Sequence, residues 1–370
     1  MAKTANIILY GVGALGSLVM KVLCSDYPTI RVVGAIDTDP AKIGRRLSEM
    51  FPANSGIEGV VVVGSLAECL ATVSDKVDVA LHMTESKPAM IEPQLVELLE
   101  AGINVVSAAE SMFYPALRFP DFASRLQTLA AAKGVTITGA GINPGYISDA
   151  VPLTLARATS GIAKIVLSRA IDVTGTGPGD IEHVGYGLWP DDFRQKIAEG
   201  TIVGHMGAPE SIALLAQRLN IDIDVIEERW ETETAAFPVD SGDPELGILE
   251  PGRVIGISQF AEAKRAGETV ISTSLLMYYQ PEKFGLEVAD RIDIQGAHHI
   301  QASLVPAALS LFGAANTVVN CIHDVLAAPA GLTNVLDFSM GGTNRGGFTY
   351  MPDPDRPATP GRVALVKKAD

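Results

Sequence analysis

Along its first part the chain alternates short apolar runs with stretches of helical period. Ile7-Ile8-Leu9-Tyr10 leads into Gly11-Val12-Gly13-Ala14-Leu15-Gly16 and then into Ser17 to Leu23, a helical pattern. Short apolar runs recur at Arg31 to Ile36, Val60 to Val63, Val77 to His82, Asn104 to Ser107 and Val135 to Thr138; helical patterns fill Pro88 to Ala101 and Phe119 to Lys133. Val- and Ile-rich strands separated by helices predict a parallel sheet covered on both faces. Ser65 with Glu68 three residues later reads as a capped helix start. Asp39 followed by Pro40 predicts another, with Arg45 and Arg46 a turn or two along it.

After Gly145 the pattern changes. Ala163 to Val173, Ile221 to Ala235, Val254 to Lys264, Thr269 to Tyr279 and Ala289 to Gln295 read as strands, and the later ones have no helices between them. That predicts antiparallel pairing in a second domain, with one helix at Ala208 to Leu219. Phe237 to Pro251 reads as a loop, Ser303 to Ala327 as mostly helical, and the tail after Gly341 as irregular.

The spacing Gly11-x-Gly13-x-x-Gly16 between strand and helix gives this pattern a chemistry. The first glycine allows a tight turn, the second lets the backbone approach a pyrophosphate, and the third lets helix and strand pack closely. The helix N-terminus then offers free N–H groups to the phosphates. Asp37 ends the second strand 21 residues beyond Gly16, where an acid accepts from the adenosine ribose. The fold class expected is therefore α/β: an N-terminal Rossmann doubly wound parallel sheet with an α+β second domain on a largely antiparallel sheet. The expected division is 1–145 for dinucleotide binding, 146–302 for substrate and dimerisation, 303–340 packing back on the first domain, and 341–370 as tail.

Composition narrows the function classes. The chain has 370 residues, is 47% hydrophobic and carries a net charge of −15, which argues against a nucleic-acid surface. Its cysteines, Cys24, Cys69 and Cys321, are odd in number and none is in a Cys-x-x-Cys pair. That predicts a reducing compartment without a disulfide framework or structural zinc. No signal peptide precedes the first strand, and no apolar run is long enough for a membrane, so a cytoplasmic protein is expected. No spacing suggests a catalytic metal, and no Gly-x-Ser-x-Gly elbow is present.

Ligands of such sheets lie beyond the carboxyl ends of the strands. Cofactor candidates are therefore Gly11, Gly13, Ala14, Leu15 and Gly16; Asp37, Thr38 and Arg45; His82, Met83 and Thr84; Ser107 and Ala108; and Asn143. Substrate candidates are Asn143, Pro144, Tyr146 and Ile147, with Asp172, Thr174 and His183 from the second domain. Glu110, just past a strand end and next to apolar Met112 and Phe113, is the candidate proton carrier, its pKa raised by that shielding. The bland alternative is a helix-start or surface glutamate. His82 reads equally as a satisfied core histidine. Adjacent residues on a strand face opposite ways, which disfavours His298-His299 as a joint ligand pair. His183 and His205 lie near glycine-rich turns, and sequence does not decide whether either faces a cleft. Asp37 favours NAD, while Arg45 could reach a 2′-phosphate and tolerate NADP.

Together these stretches resemble the family of 2,4-diaminopentanoate dehydrogenases and native amine dehydrogenases, distant relatives of dihydrodipicolinate reductase. The resemblance is carried by Tyr10 to Gly16, Ile36 to Gly44, Val105 to Glu110, Gly141-Ile142-Asn143-Pro144-Gly145-Tyr146, His183 to Gly187, Gly204 to Ser211, and Asn320 with Ala328 to Leu332. It implies an NAD(P)-dependent amine dehydrogenase that interconverts an amine, a 2,4-diaminopentanoate-like one among the candidates, with a carbonyl compound and ammonia. It also implies a homodimer through the second domain's sheet, and Glu110 as acid/base. The reductase motif of two histidines, lysine and Asp-Ala-Pro-Ser-Gly-Thr is absent, and Glu110-Ser111 stands where relatives often carry two acids. Two other readings stay open: an imine or carbonyl reductase without ammonia, and a non-catalytic NAD(P) sensor.

Overall fold

The computed structural model describes residues 4–27, 29–175, 184–202, 204–244 and 246–338. The first sheet is parallel throughout, with strand order β15-β6-β5-β4-β1-β2-β3. Its strands are β1 (Ala5–Tyr10), β2 (Ile30–Ile36), β3 (Val62–Val63), β4 (Val79–His82), β5 (Asn104–Ser107), β6 (Thr136–Gly139) and β15 (Gly331–Asn334). Successive side chains enter opposite layers, which explains the unbroken apolar runs. Ile7, Leu9 and Leu81 pack with Val19 and Met20 on one face; Ile8, Ala80 and Val105 pack with Leu95, Leu98 and Leu126 on the other.

The second sheet is mixed, in the order β14-β13-β7-β12-β11-β8. Here β7 is Lys164–Asp172, β8 Val225–Thr234, β11 Val254–Arg265, β12 Glu268–Tyr278, β13 Ala289–Gln295 and β14 Ile300–Leu304. Most pairs are antiparallel, but β7 and β12 run parallel, Ile271 opposite Ile165 through Tyr278 opposite Asp172. One face carries Val173, Ile257, Leu275 and Met277 in its core. The other buries Leu167, Ile271 and Ile292 under Ile212 and Leu215 of the helix Ala208–Leu219.

Several elements differ from the sequence reading. No helix starts at Asp39: its carboxylate accepts the Ala41 N–H, closing a side-chain turn, Gly44 has φ +85°, and the next helix is the single turn Leu47–Met50. The chain then pairs Arg46 with Val61, so neither Arg45 nor Arg46 rides a helix. Phe237 to Pro251 holds a small ribbon, β9 (Val239–Asp240) against β10 (Ile248–Leu249). β14 runs to Leu304, and helix begins only at Ser310. His298 and His299 sit in the turn between β13 and β14, not on a strand, with His299 Nε2 2.9 Å from an Asp293 oxygen. After the helix Ser310–Asn320, whose Ala315 and Val318 join the core around Val19, the chain adds β15 beside β6. The tail 341–370 lies outside the described residues. No described helix is long and apolar enough to cross a membrane.

Candidate active site

The glycine loop fits a dinucleotide. Gly11 has φ +103°, and a Cβ there would lie 2.4 Å from the Met83 carbonyl oxygen. At Gly16 a Cβ would lie 2.5 Å from the Gly11 oxygen, so only glycine permits this helix–strand contact. A Cβ at Gly13, by contrast, meets nothing within 4 Å: the space above this N-cap is open, and no side chain caps the helix Ala14–Asp26. Backbone N–H groups therefore point at a cradle of the kind a pyrophosphate fills.

Asp37 stands beside that loop. One oxygen accepts from Val12 N at 2.8 Å and from Lys42 Nζ at 3.0 Å, and the other from Asp39 N at 2.9 Å. Burial opposes ionisation, but the two backbone N–H groups and the Lys42 charge outweigh it and hold the carboxyl below its ordinary range. Lys42 was missed by sequence reasoning; it sits on the turn that replaces the expected helix. Thr38 and Arg45 are exposed nearby.

A cavity of about 440 Å³ opens between the carboxyl edge of the parallel sheet and the second sheet. Ala108, Glu110, Asn143 and Pro144 line it from the first side, and Ile171, Asp172, Val173, Leu275 and Met277 from the second. Leu15 borders it at the glycine loop, and Leu309, Leu311 and Phe312 form a further wall. Most of this lining is apolar.

Glu110 opens a single 3-10 turn, Glu110–Met112, after β5. This turn lies on Gly139 of β6, where a Cβ would fall 2.4 Å from the Met112 backbone. Met112 and Phe113 are buried beneath it, and the Glu110 N–H donates to Ser86 Oγ at 3.3 Å. The carboxylate reaches the second domain. Oε2 accepts the Met206 N–H at 2.9 Å, and Oε1 lies 3.4 Å from His205 Nε2. His205 lines the same cavity, and buried Gln259 of β11 clamps its backbone: Gln259 Oε1 accepts His205 N at 2.9 Å and its Nε2 donates to His205 O at 3.0 Å. The only sequence sign of this arrangement was the pair of glycines around His205. Gly204 accommodates the Trp230 ring, and Gly207 lies against Pro144.

Other sequence candidates lie away from the cavity. His82 is fully buried, its Nδ1 2.9 Å from Ser107 Oγ and its Nε2 2.8 Å from Gln94 Oε1. Burial pushes its pKa down to about 4, which keeps the ring neutral. Thr84 is exposed and donates to Gln94, while Met83 supplies the backbone under Gly11. Tyr146 is exposed, Ile147 is buried, and Thr174 Oγ1 accepts from Gln280 N; none of the three borders the cavity. His183 lies outside the described residues.

Two buried ionic groups support the walls. Arg169 of β7 donates to Asp290 at 2.5 Å, to the Ala308 carbonyl at 2.7 Å and to Ser310 Oγ at 3.2 Å, tying the second sheet to the chain that enters the helix Ser310–Asn320. Asp149, under the Asn143-Pro144-Gly145 turn, accepts the Gly145 N–H at 2.7 Å. Its burial, reinforced by the Glu210 carboxylate, pushes the carboxyl up to about 7 against that bond. Among the described residues no His, Cys, Asp and Glu group could hold a metal ion.

The family profile of the 2,4-diaminopentanoate dehydrogenase C-terminal domain matches residues 146–351. A 2,4-diaminopentanoate dehydrogenase of Acetoanaerobium sticklandii is 26% identical over 335 residues, 90% of this chain and 93% of that protein. An amine dehydrogenase of Streptomyces virginiae is 23% identical over 232 residues, 60% of this chain and 61% of that protein. Among solved structures, an amine dehydrogenase from Mycobacterium smegmatis shares the fold with a TM-score of 0.78 at 24% identity, covering 90% of this chain and 96% of that one. A myo-inositol 2-dehydrogenase from Lactobacillus plantarum shares it at 0.53 and 12% identity, over 90% and 93% of the two chains.

Proposed function

We propose a specific reaction for this chain, which belongs to the 2,4-diaminopentanoate dehydrogenase family of NAD(P)-dependent oxidoreductases: reversible oxidative deamination of a compact amine to a ketone or aldehyde and ammonia. The observation that carries it is the Glu110 carboxylate on the cavity wall, one oxygen fixed by the Met206 N–H and the other toward His205.

A bound nicotinamide would supply the hydride acceptor or donor, held through its phosphates by Gly11 to Gly16. The protein's own part is acid–base and electrostatic. Glu110 takes a proton from the substrate ammonium, which frees the nitrogen lone pair to form the C=N bond. The same carboxylate then lies beside the iminium charge as it develops and stabilises it. In the reverse direction it deprotonates ammonium for attack on the carbonyl carbon. Apolar residues such as Ile171, Leu275 and Met277 keep bulk water off the reacting carbon.

The walls also select the substrate. Among the described lining residues the only guanidinium, Arg169, is already bound by Asp290, Ala308 and Ser310. A substrate carboxylate would need a standing cation, and apart from His205, whose Nε2 faces Glu110, these residues offer none, so the reading favours an amine with an uncharged, largely apolar body over a 2,4-diaminopentanoate-like one. For the cofactor, Asp37 favours the free ribose hydroxyls of NAD, and Lys42 beside it lowers the cost of a 2′-phosphate, so NADP is tolerated. We further propose a homodimer through the second sheet. This is supported by the edge strand β14, whose Leu304 and following Val305 are exposed; a light-scattering mass of a single 38.9 kDa chain would remove it.

The test of the reaction is Glu110→Gln. It should bind cofactor as the parent does and lose turnover by roughly 100-fold or more. Full turnover with intact cofactor binding would remove Glu110 from the chemistry.

A further inference from the structure

We propose that His205 is the proton relay of this site, carrying protons between Glu110 and solvent. The inference rests on the amine dehydrogenase reading. Its first support is geometric. His205 Nε2 is 3.4 Å from Glu110 Oε1, and both side chains border the same cavity at about one-fifth exposure, 20% and 22%. The second is that the imidazole is held there on purpose-built backbone. Gln259, only 2% exposed, uses both ends of its amide on the His205 N–H and carbonyl, and Gly204, with φ +60°, lets the Trp230 ring close behind. The next residue, Met206, binds the other Glu110 oxygen, so one short segment of the second domain grips the whole carboxylate.

The third support is the proton balance. A protonated amine, oxidised nicotinamide and water become a carbonyl, ammonium and reduced nicotinamide, with one further proton released. The C–H bond breaks with its electron pair passing to the nicotinamide, after Glu110 has taken an ammonium proton and the nitrogen lone pair has become free to form C=N. Water then adds to the iminium carbon, again giving a proton to the carboxylate, before the C–N bond breaks. Glu110 must therefore be emptied at least once before it can accept again. An imidazole, titrating near neutral pH, is the side chain suited to receive that proton. Among the described residues Glu110 is the carboxylate beside His205, and the Tyr186 phenol borders the same cavity. On the other side of the imidazole Asn143, Ser148, Ser211, Gln259 and Thr273 line a small chamber and carry no charge. Of the neighbouring charged groups, Asp149 is bound to the Gly145 N–H, Glu210 to Arg118 and Arg169 to Asp290, while Asp172 stands elsewhere on the cavity wall.

The experiment compares parent, His205→Asn and His205→Ala in the deamination direction across pH, with added imidazole. With parent turnover established, His205→Asn should lower kcat by roughly tenfold or more, with KM for amine and Kd for cofactor nearly unchanged. The pH profile should lose the limb that titrates in the imidazole range, and free imidazole should restore His205→Ala saturably. A parent-like kcat and profile in His205→Asn, or a loss uniform in pH and indifferent to imidazole, would overturn the relay and leave the amine reaction standing. A parent that turns over no amine or carbonyl would remove the reaction itself, and the relay with it.

Discussion

The two sheets that meet at the cavity contribute in opposite ways. The parallel sheet offers mainly backbone: glycines at Gly11 and Gly13, uncapped N–H groups, and one turn that carries Glu110 over Gly139. The second sheet offers mainly side chains: Ile171, Leu275 and Met277 as apolar wall, Arg169 as a buried tie, and Gln259 as a clamp on the His205 backbone. A backbone site recognises what all dinucleotides share, whereas a side-chain wall can change with the substrate while the cradle stays the same. Glu110 stands on the first and is gripped by the second, so the proposed chemistry needs both.

That contrast can be broken at either end. The largest effect is expected within the cradle, from Gly11→Ala. The φ of +103° and the Met83 oxygen 2.4 Å from the new Cβ should cost about 2 kcal/mol or more, visible as a fall in Tm without cofactor. Gly13→Val should do the reverse: with nothing within 4 Å of its Cβ, the apo Tm should hold, while cofactor Kd rises about tenfold or more, the loss of one good phosphate contact.

At the seam, Asp149 gives a pH test. Unfolded, this carboxyl loses its proton near pH 4; folded, it keeps it to about 7. The folded state binds the extra proton, so this group lowers stability progressively from about pH 4 to pH 7 and by a constant amount above. Asp149→Asn should therefore leave stability nearly unchanged at pH 4 and raise Tm relative to the parent at pH 8; a Tm difference equal at both values would remove the assigned titration.

In the wall, Leu275→Ala should favour bulkier carbonyl substrates in kcat/KM by about tenfold while leaving cofactor Kd alone. The smallest effect, a few-fold, is expected from Lys42→Ala, which should weaken NADP relative to NAD by titration calorimetry.

What was legible in the sequence follows the same division. The glycine spacing, Asp37 and the strand end before Glu110 are local signals, set within a few residues of the atoms they organise. The Glu110 grip depends on Met206, 96 residues away, and the His205 clamp on Gln259, 54 residues away, which no local pattern encodes. The turn after Asp39 escaped because an acid before proline caps a helix or closes a side-chain turn equally well; the pairing of Arg46 with Val61 decided it. β15 is four residues long, with polar Thr333 and Asn334, and becomes a strand only because β6 presents an open edge. The parallel β7–β12 pair was hidden for a similar reason, since strand direction is a property of the partner.

In the proposed reaction nitrogen, not oxygen, is what the hydride serves. The most direct measurement follows nicotinamide absorbance with a compact ketone, with and without ammonium at fixed ionic strength. Cofactor oxidation should saturate in ammonia and be absent without it. A rate with the ketone that ignores ammonia would contradict the proposed reaction and make the protein a carbonyl reductase.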